Sequence, residues 1–186
     1  AMGGAPTWTD LDENLPAAGY PNDIEIDPND PTHLWIAMGN NVYESTNSGG
    51  SFTDISGTLP NVTARTLVYD ARSTNDGLYV GQDVGVYYLD NSLTDWINFS
   101  TGLPRVEMTE LEIYYDPTCA GNDILRAGTY GRGLWETDLR DPGNVAPIAC
   151  LSATPTESCV GQTVALTDES AYSPTAWTWT ITPATF

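Results

Sequence analysis

Short runs of alternating apolar and polar residues, interrupted by glycine, asparagine, aspartate and proline, extend over most of the chain. Alternation with a period of two is typical of β-strands that are buried on one face. The first four runs lie at 23–27, 33–38, 42–46 and 51–55, the next four at 66–70, 78–80, 86–89 and 96–99, and a third set at 111–115, 124–127 and 134–137. No segment shows a convincing helical period, so the pattern predicts an all-β protein.

The residues that separate these strands recur every 44 positions. Leucine-proline pairs end at Pro16, Pro60 and Pro104, and an aromatic residue stands at positions 8, 52 and 96. Four short strands in a repeat of about 40–50 residues are typical of a β-propeller blade, whereas a β-sandwich does not repeat internally at this length. We therefore expect a partial β-propeller of about three four-stranded blades.

The number of strands predicts an incomplete ring. A fourth strand at 7–11 precedes two complete blades, and the third blade has only three strands. Known propellers have about 4–8 blades. Two copies of the chain could form a homodimer with a six-bladed ring, in which each copy lends its first strand to the other's last blade; the alternative is an open arc with exposed edges.

A turn in the first blade carries a family resemblance. The run Ser-Thr-Asn-Ser-Gly-Gly-Ser-Phe, residues 45–52, resembles the Asp-box of BNR-repeat propellers, the sialidase-like and sortilin-like proteins, although Asn47 replaces the usual aspartate and Phe52 the usual tryptophan. Asparagine can still bond the turn's backbone amides, and Gly49 supplies a positive φ. The resemblance covers residues 4–140 and implies a structural role for Ser45, Asn47, Gly49 and Phe52.

The composition changes after Arg140, where only four of the 25 acidic residues follow: Asp141, Glu157, Asp168 and Glu169. We expect a linker at 141–146. Residues 147–186, with Val-Gly-Gln-Thr-Val at 160–164 and Trp-Thr-Trp at 177–179, resemble the N-terminal half of a PKD domain, an immunoglobulin-like module of extracellular proteins. A complete β-sandwich of this kind has about 100 residues, so we expect the chain to be a fragment of a larger protein.

The net charge of −19 narrows the possible partners, because all six basic residues are arginines and there is no lysine. Phosphate binding requires lysine and arginine, so this charge disfavours nucleic acid. No apolar run is long enough to span a bilayer. The resemblance implies a secreted or cell-surface bacterial protein, and the acidity fits a saline habitat, calcium loading or the drift of an extracellular protein.

In a propeller, the loops after the second and fourth strands of each blade emerge on one face, where ligands usually bind. Arginines near an acid and a tyrosine are typical of a sialidase-like site that holds a sugar carboxylate; alternatively, they pair with neighbouring acidic residues. No catalytic residue can be nominated among so many carboxylates. The face selects Arg65, Gln82, Asp83, Arg105, Glu107, Glu110, Thr129, Tyr130 and Arg132.

Calcium is the ion that the sequence favours. Asp27 and Asp30, and in the third blade Asp116 and Asp123, lie in oxygen-rich loops that suit a hard cation, although Asp-Pro also forms ordinary turns. The single histidine, His33, excludes a standard zinc site and is assigned a structural role.

The three cysteines leave at least one without an internal partner. Cys150 and Cys159 are close enough in sequence to bridge neighbouring strands in an oxidising compartment, which would leave Cys119 unpaired. The alternative is that all three are reduced, buried thiols.

These observations favour an extracellular binding or adhesion module for polysaccharide or another cell-surface ligand. One alternative is part of an Asp-box glycoside hydrolase, sialidase-like or endo-glucanase-like, with its catalytic residues in other blades. The other is a structural spacer.

Overall fold

A computed structural model of the chain describes residues 7–140, 148–159, 161–170 and 175–180. Almost all of its regular structure is β-strand, arranged in antiparallel sheets, as the alternating pattern predicts. Two short 3-10 turns, Asp12–Asn14 and Ala120–Asn122, are the helical elements among the described residues. In the same residues, no helix has the length and apolar character needed to cross a bilayer.

Three consecutive sheets follow the 44-residue repeat, and we call them blades 1, 2 and 3. Their strands lie side by side in chain order. Blade 1 contains β1 (Pro21–Ile26), β2 (Leu34–Met38), β3 (Asn41–Ser45) and β4 (Thr53–Asp54); blade 2 contains β5 (Ala64–Asp70), β6 (Gly77–Gln82), β7 (Gly85–Leu89) and β8 (Ile97–Asn98); blade 3 contains β9 (Met108–Tyr114), β10 (Ile124–Thr129) and β11 (Gly133–Asp138). The predicted partial propeller is confirmed at this level.

The strand predicted at residues 7–11 is not present within one copy of the chain, where these residues adopt no strand conformation. In blades 1 and 2, the short fourth strand exists through its pairing with the third strand, β4 with β3 and β8 with β7. No third strand pairs with residues 7–11 in the described part of the chain. A strand of two residues, such as β4 or β8, forms only by hydrogen bonding to a neighbouring strand. Residues 7–11 have no such neighbour here, so this segment is irregular.

The main core lies between blades 1 and 2. The rings of Trp35 and Tyr69 stack with centroids 4.7 Å apart. Trp96 is buried beside them, and its indole Nε1 donates a hydrogen bond of 2.7 Å to the carbonyl oxygen of Ile55. Aliphatic side chains complete this core: Ala37, Val42, Ala64, Leu67, Leu78 and Val80. Since both blades contribute, this core fixes one blade against the other.

The opposite face of blade 1 carries a second apolar cluster, in which Leu15 and Phe52 pack against buried residues of β2 and β3. Phe52 follows directly after the turn at residues 45–51. Asn47 Oδ1 accepts hydrogen bonds from the Ser45 hydroxyl and the Ser51 amide, each at 2.9 Å, and Gly49 has a φ of +78°. The asparagine side chain thus closes this turn, and its likeness to the Asp-box stays a prediction.

The described residues fall into two compact units. The first reaches to Ile113 and includes Arg126–Glu136; the second contains Tyr114–Leu125 and the described residues from Thr137 onward. In the second unit, β12 (Leu151–Thr154) and β13 (Ala165–Asp168) form an antiparallel pair. The predicted linker at 141–146 lies outside the described residues, and the PKD resemblance stays a prediction.

The predicted Cys150–Cys159 disulfide is wrong. Cys150 is bonded to Cys119, with 5.7 Å between their Cα atoms, and Cys159 is an exposed free thiol. Cys150 immediately precedes β12, whereas Cys159 lies in the connection between β12 and β13, beyond the other end of that strand. An intervening extended strand separates the two residues in space although they are close in sequence.

Candidate functional site

The loops that leave β4, β6, β8 and β10 form the surface that the sequence selected, which we call the loop face. Arg65 lies at the start of β5, Asp83 between β6 and β7, and Glu107 immediately before β9. The Arg65 guanidinium bridges the other two residues: Nε donates to Asp83 Oδ1, and Nη2 lies 3.1 Å from Glu107 Oε2. Each side chain is about one-third exposed. For Arg65, the alternative of pairing with neighbouring acids therefore holds.

The turn between β10 and β11 joins the same face. The amide of Tyr130 donates a hydrogen bond of 2.9 Å to the carbonyl oxygen of Glu107, so this turn lies against the loop that also carries Arg105. The Tyr130 side chain is 71% exposed. Trp135 Nε1 donates to the Arg132 carbonyl oxygen at 3.0 Å, and Thr129 Oγ1 to that of Gly133 at 2.6 Å, which braces the turn.

Two further arginines of the loop face differ from Arg65. Arg105 and Arg132 are exposed. In the described part of the chain, neither guanidinium takes part in an ion pair or a side-chain hydrogen bond. The face therefore presents one neutralised arginine, two available arginines and an exposed tyrosine ring.

Two other residues selected for the loop face differ in exposure, since Gln82 is buried and Glu110 is exposed. Gln82 is fully buried, and its Nε2 donates to the carbonyl oxygens of Pro60 and Val62 at 3.1 and 3.0 Å. It fixes the loop before β5, while its Oε1 has no partner in the described residues. Glu110 Oε1 instead accepts a hydrogen bond of 3.3 Å from Thr66 Oγ1 on the first strand of blade 2.

Glu110 belongs to a group of carboxylates on the first strands of the blades. Asp23 Oδ2 accepts the Leu67 amide at 2.7 Å and so links blade 1 to blade 2. Burial, followed by the charge of Asp23, raises the pKa of Glu25 to about 7, with Glu112 and Glu110 adding to the shift. The Tyr69 amide partly offsets this by hydrogen bonding. The partial burial of Glu25 beside these like charges makes its protonation the pH-sensitive feature of β1.

The calcium sites expected at Asp27, Asp30, Asp116 and Asp123 stay a prediction. Among the described residues, no three carboxylate, histidine or cysteine side chains converge as a metal site would require. The carboxylates instead close their own turns: Asp27 accepts the Asn29 amide at 2.8 Å, Asp30 accepts the Thr32 hydroxyl at 2.7 Å, and Asp123 accepts the Asp116 amide at 2.8 Å. Hydrogen bonds from Thr118 hold the pKa of Asp116 at about 2.

A cavity of about 450 Å³ between blades 1 and 2 was missed by the sequence analysis. Trp35, Trp96 and five carboxylates line it: Glu44, Asp54, Asp76, Asp90 and Asp95. These carboxylates are engaged in the fold. Asp95 Oδ1 accepts the amides of Thr58 and Trp96, Asp76 accepts the Tyr69 hydroxyl, and Asp90 accepts the Tyr88 hydroxyl. Because the cavity forms between two repeats, no single stretch of sequence carries its pattern.

The second unit has a concave surface of its own. Its volume is about 440 Å³, and Trp177 and Trp179 line it with Asp168 and Ser170. The two indoles are 53% and 45% exposed. Hydrogen bonding, first from Ser170, lowers the pKa of Asp168. An aromatic surface next to a carboxylate is a second place where a polar ligand could bind.

The comparisons with known proteins identify no family. No family model matches the chain, and no curated protein matches it in sequence. Among solved structures, the chain is similar to the crystal structure of an ancestral GH74 enzyme, with 12% sequence identity and a TM-score of 0.45. That match covers 61% of this chain and 16% of the enzyme. Similarity at this level carries no conclusion about what the chain binds or catalyses.

Proposed function

We propose that this chain is a carbohydrate-binding module that recognises polysaccharide through its loop face. The observation that carries the proposal is the continuous set of contacts from Asp83 through Arg65 and Glu107 to the Tyr130 amide. These contacts fix the loops of blades 2 and 3 to one another. A ligand surface built on mutually braced loops loses little conformational entropy when it binds.

The exposed groups on this support define the ligand class. The Tyr130 ring offers a flat apolar surface with a hydroxyl at its edge, which suits the face of a sugar ring. Arg105 and Arg132 can each form paired hydrogen bonds to a carboxylate or sulfate group. Screening limits the reach of the −19 net charge to about 8 Å at physiological ionic strength, so nearby arginines dominate at short range. The preferred ligand is therefore a polysaccharide with acidic sugars.

Hydrolysis is not part of the proposal. A glycoside hydrolase uses two carboxylates on opposite sides of the scissile bond. On the loop face, Asp83 and Glu107 are both bound to Arg65. They support the loops and are not free to meet a substrate, so we assign them a positioning role.

The test is an array of neutral and acidic polysaccharides, followed by titration of a positive ligand against variants. We expect Tyr130→Ala and Arg132→Ala each to weaken binding about tenfold or more, as for central interface residues. Arg72→Ala is the matched control, because Arg72 is exposed in the loop between β5 and β6, at the opposite ends of the strands. If neither Tyr130→Ala nor Arg132→Ala changes the affinity for the polysaccharide, the proposal is refuted. No binding to any polysaccharide would favour a spacer, and release of reducing ends would favour a glycoside hydrolase.

A further inference from the structure

Among the described residues, blade 3 ends in a strand with one open edge, β11. In blade 1, β3 pairs with β4 through Tyr43 with Asp54 and Glu44 with Thr53; in blade 2, Tyr87 pairs with Asn98 and Tyr88 with Ile97. Within the described residues, β11 pairs only with β10. Its residues are exposed over its whole length. An open strand edge is a template for pairing with another segment.

A segment that matches the missing strand lies before blade 1. Trp8-Thr-Asp-Leu11 repeats Phe52-Thr-Asp-Ile55 and Trp96-Ile-Asn-Phe99 in the 44-residue register. Trp96 is 7% exposed, and Phe52 packs on a buried cluster, whereas Trp8 is 94% exposed. The aromatic residue that packs on an apolar cluster in the other two repeats is left in solvent here.

The turn after this segment has the same hydrogen bond as the turns after β4 and β8. Asp10 Oδ1 accepts the Asp12 amide at 2.9 Å, as Asp54 does for Ser56 at 2.8 Å and Asn98 for Ser100 at 3.0 Å. Further along, Leu15 packs on the apolar cluster of blade 1, as Leu59 packs on the core that includes blade 2. The flanking residues 10–12 and Leu15 thus match the flanks of β4 and β8, whereas Thr9 and Asp10 have no partner strand among the described residues.

In the described part of the chain, no blade covers the face of blade 1 that carries Ile24 and Ile26. Strand pairing shows which residues of the two first strands are equivalent. In blade 1, Ile24 pairs with Ile36 and Ile26 with Leu34. In blade 2, Leu67 and Tyr69 hold the same places, because Leu67 pairs with Val80 and Tyr69 with Leu78. Leu67 and Tyr69 are 1% and 7% exposed beneath blade 1, whereas Ile24 and Ile26 are 54% and 48% exposed. This face of β1 has the apolar character of an interface between blades.

We propose that a second copy of this chain occupies both surfaces. Thr9–Asp10 of one copy pairs with β11 of the other, with Asp10 opposite Trp135 and Thr9 opposite Glu136, and the exchange is reciprocal. Trp8 then packs on the partner's blade 3. Its indole donates a hydrogen bond to the carbonyl oxygen of the partner's Phe99, as the Trp96 indole donates to the carbonyl oxygen of Ile55. Leu134, 73% exposed, meets the face that carries Ile24 and Ile26.

The geometry favours a closed dimer over a filament. The described residues hold three blades, so two copies hold six, within the range of about 4–8 found in propellers, whereas three copies would hold nine. A head-to-tail contact that returns to its start after two copies closes with twofold symmetry. Closure removes both open edges at once.

The first test is the mass of the full chain in solution. Light scattering or sedimentation should give twice the 20.1 kDa of one chain. Trp8→Ala should raise the dissociation constant about tenfold or more without loss of fold, since Trp8 makes little contact within one copy. Tyr20→Ala is the control, because Tyr20 is similarly exposed, at 90%, and lies outside the repeated pattern. A monomer at every concentration, or a dimer that Trp8→Ala leaves unchanged, would overturn the proposal.

Disulfide trapping tests the arrangement itself. Thr9→Cys and Glu136→Cys are made separately in a Cys159→Ser background, which removes the exposed free thiol. The mixture of the two variants should give a covalent dimer on oxidation, and neither variant alone should. A covalent dimer from Thr9→Cys alone, or none from the mixture, would refute the strand exchange.

Discussion

The half-buried carboxylate of Glu25 on β1 should make the stability of the protein fall as pH rises from about 4.5 to about 7. Glu25 has a pKa raised from the ordinary 4.5 to about 7 by burial and by the nearby charges of Asp23, Glu112 and Glu110. Between these two values, the folded state holds a proton that the unfolded state has released. The free energy of unfolding attributable to Glu25 is therefore highest below pH 4.5, declines from there to about pH 7 and is lowest above it.

The size of the effect follows from the shift and the exposure. A pKa raised from 4.5 to about 7 corresponds to at most about 3 kcal/mol. Because Glu25 is only half-buried, solvent screening reduces this to about 1–2 kcal/mol. Glu25→Gln keeps the shape and removes the charge. We expect this variant to match the wild type near pH 4.5 and to be more stable by about 1–2 kcal/mol at pH 8.

The assay is urea unfolding followed by tryptophan fluorescence at several pH values. Glu13→Gln serves as the control, because Glu13 is exposed and its loss changes the net charge by the same amount. Subtracting the control isolates the contribution of the buried position. A difference between wild type and Glu25→Gln that is constant from pH 4.5 to 8, or a variant that is less stable at pH 8, would refute this reasoning.

Three further predictions concern packing, loop support and the cysteines. Gly81→Ala should destabilise the fold by about 1–3 kcal/mol in chemical denaturation, because a Cβ there would lie 2.8 Å from the Met108 Cβ; an unchanged urea midpoint would contradict this. Gln82→Ala should cost about 2 kcal/mol, because two hydrogen bonds to the loop before β5 are lost, and it should speed exchange of the amides in that loop. Thiol titration of the native protein should find one reactive group, Cys159. Reduction of the Cys119–Cys150 bond, whose cysteines are 31 positions apart, should destabilise the second unit by about 3–4 kcal/mol.

The fold was more accessible from sequence than the site was. Alternation fixes strands locally, and the Leu-Pro and aromatic positions repeat, so the strands of blades 1 and 2 are predictable within a few residues. The segment at 7–11 fails for a physical reason, since its pattern matches β4 and β8 but a fourth strand needs a third strand beside it. The local sequence pattern does not show whether that third strand is present next to the segment.

The site depends on contacts that sequence distance does not reveal. The sequence selected Arg65, Asp83 and Glu107 as members of one face. Only the ion pairs in the structure show that Arg65 is the arginine neutralised by acidic neighbours. Cys119 and Cys150 meet although they are 31 positions apart, whereas the nearer pair is separated by a strand. The carboxylates around the cavity between blades 1 and 2 come from two repeats, so their proximity appears only in the packed structure.

Backbone amide chemical shifts, recorded during titration with a polysaccharide that binds on the array, test the central claim most directly. We predict that the largest changes fall on the loop face, around Arg65, Asp83, Arg105 and Tyr130 to Arg132. The amides of the loops at the opposite ends of the strands, such as that of Arg72, should not move. Changes concentrated at Trp177 and Trp179 in the second unit, or in the loops at the opposite ends of the strands, would contradict the account.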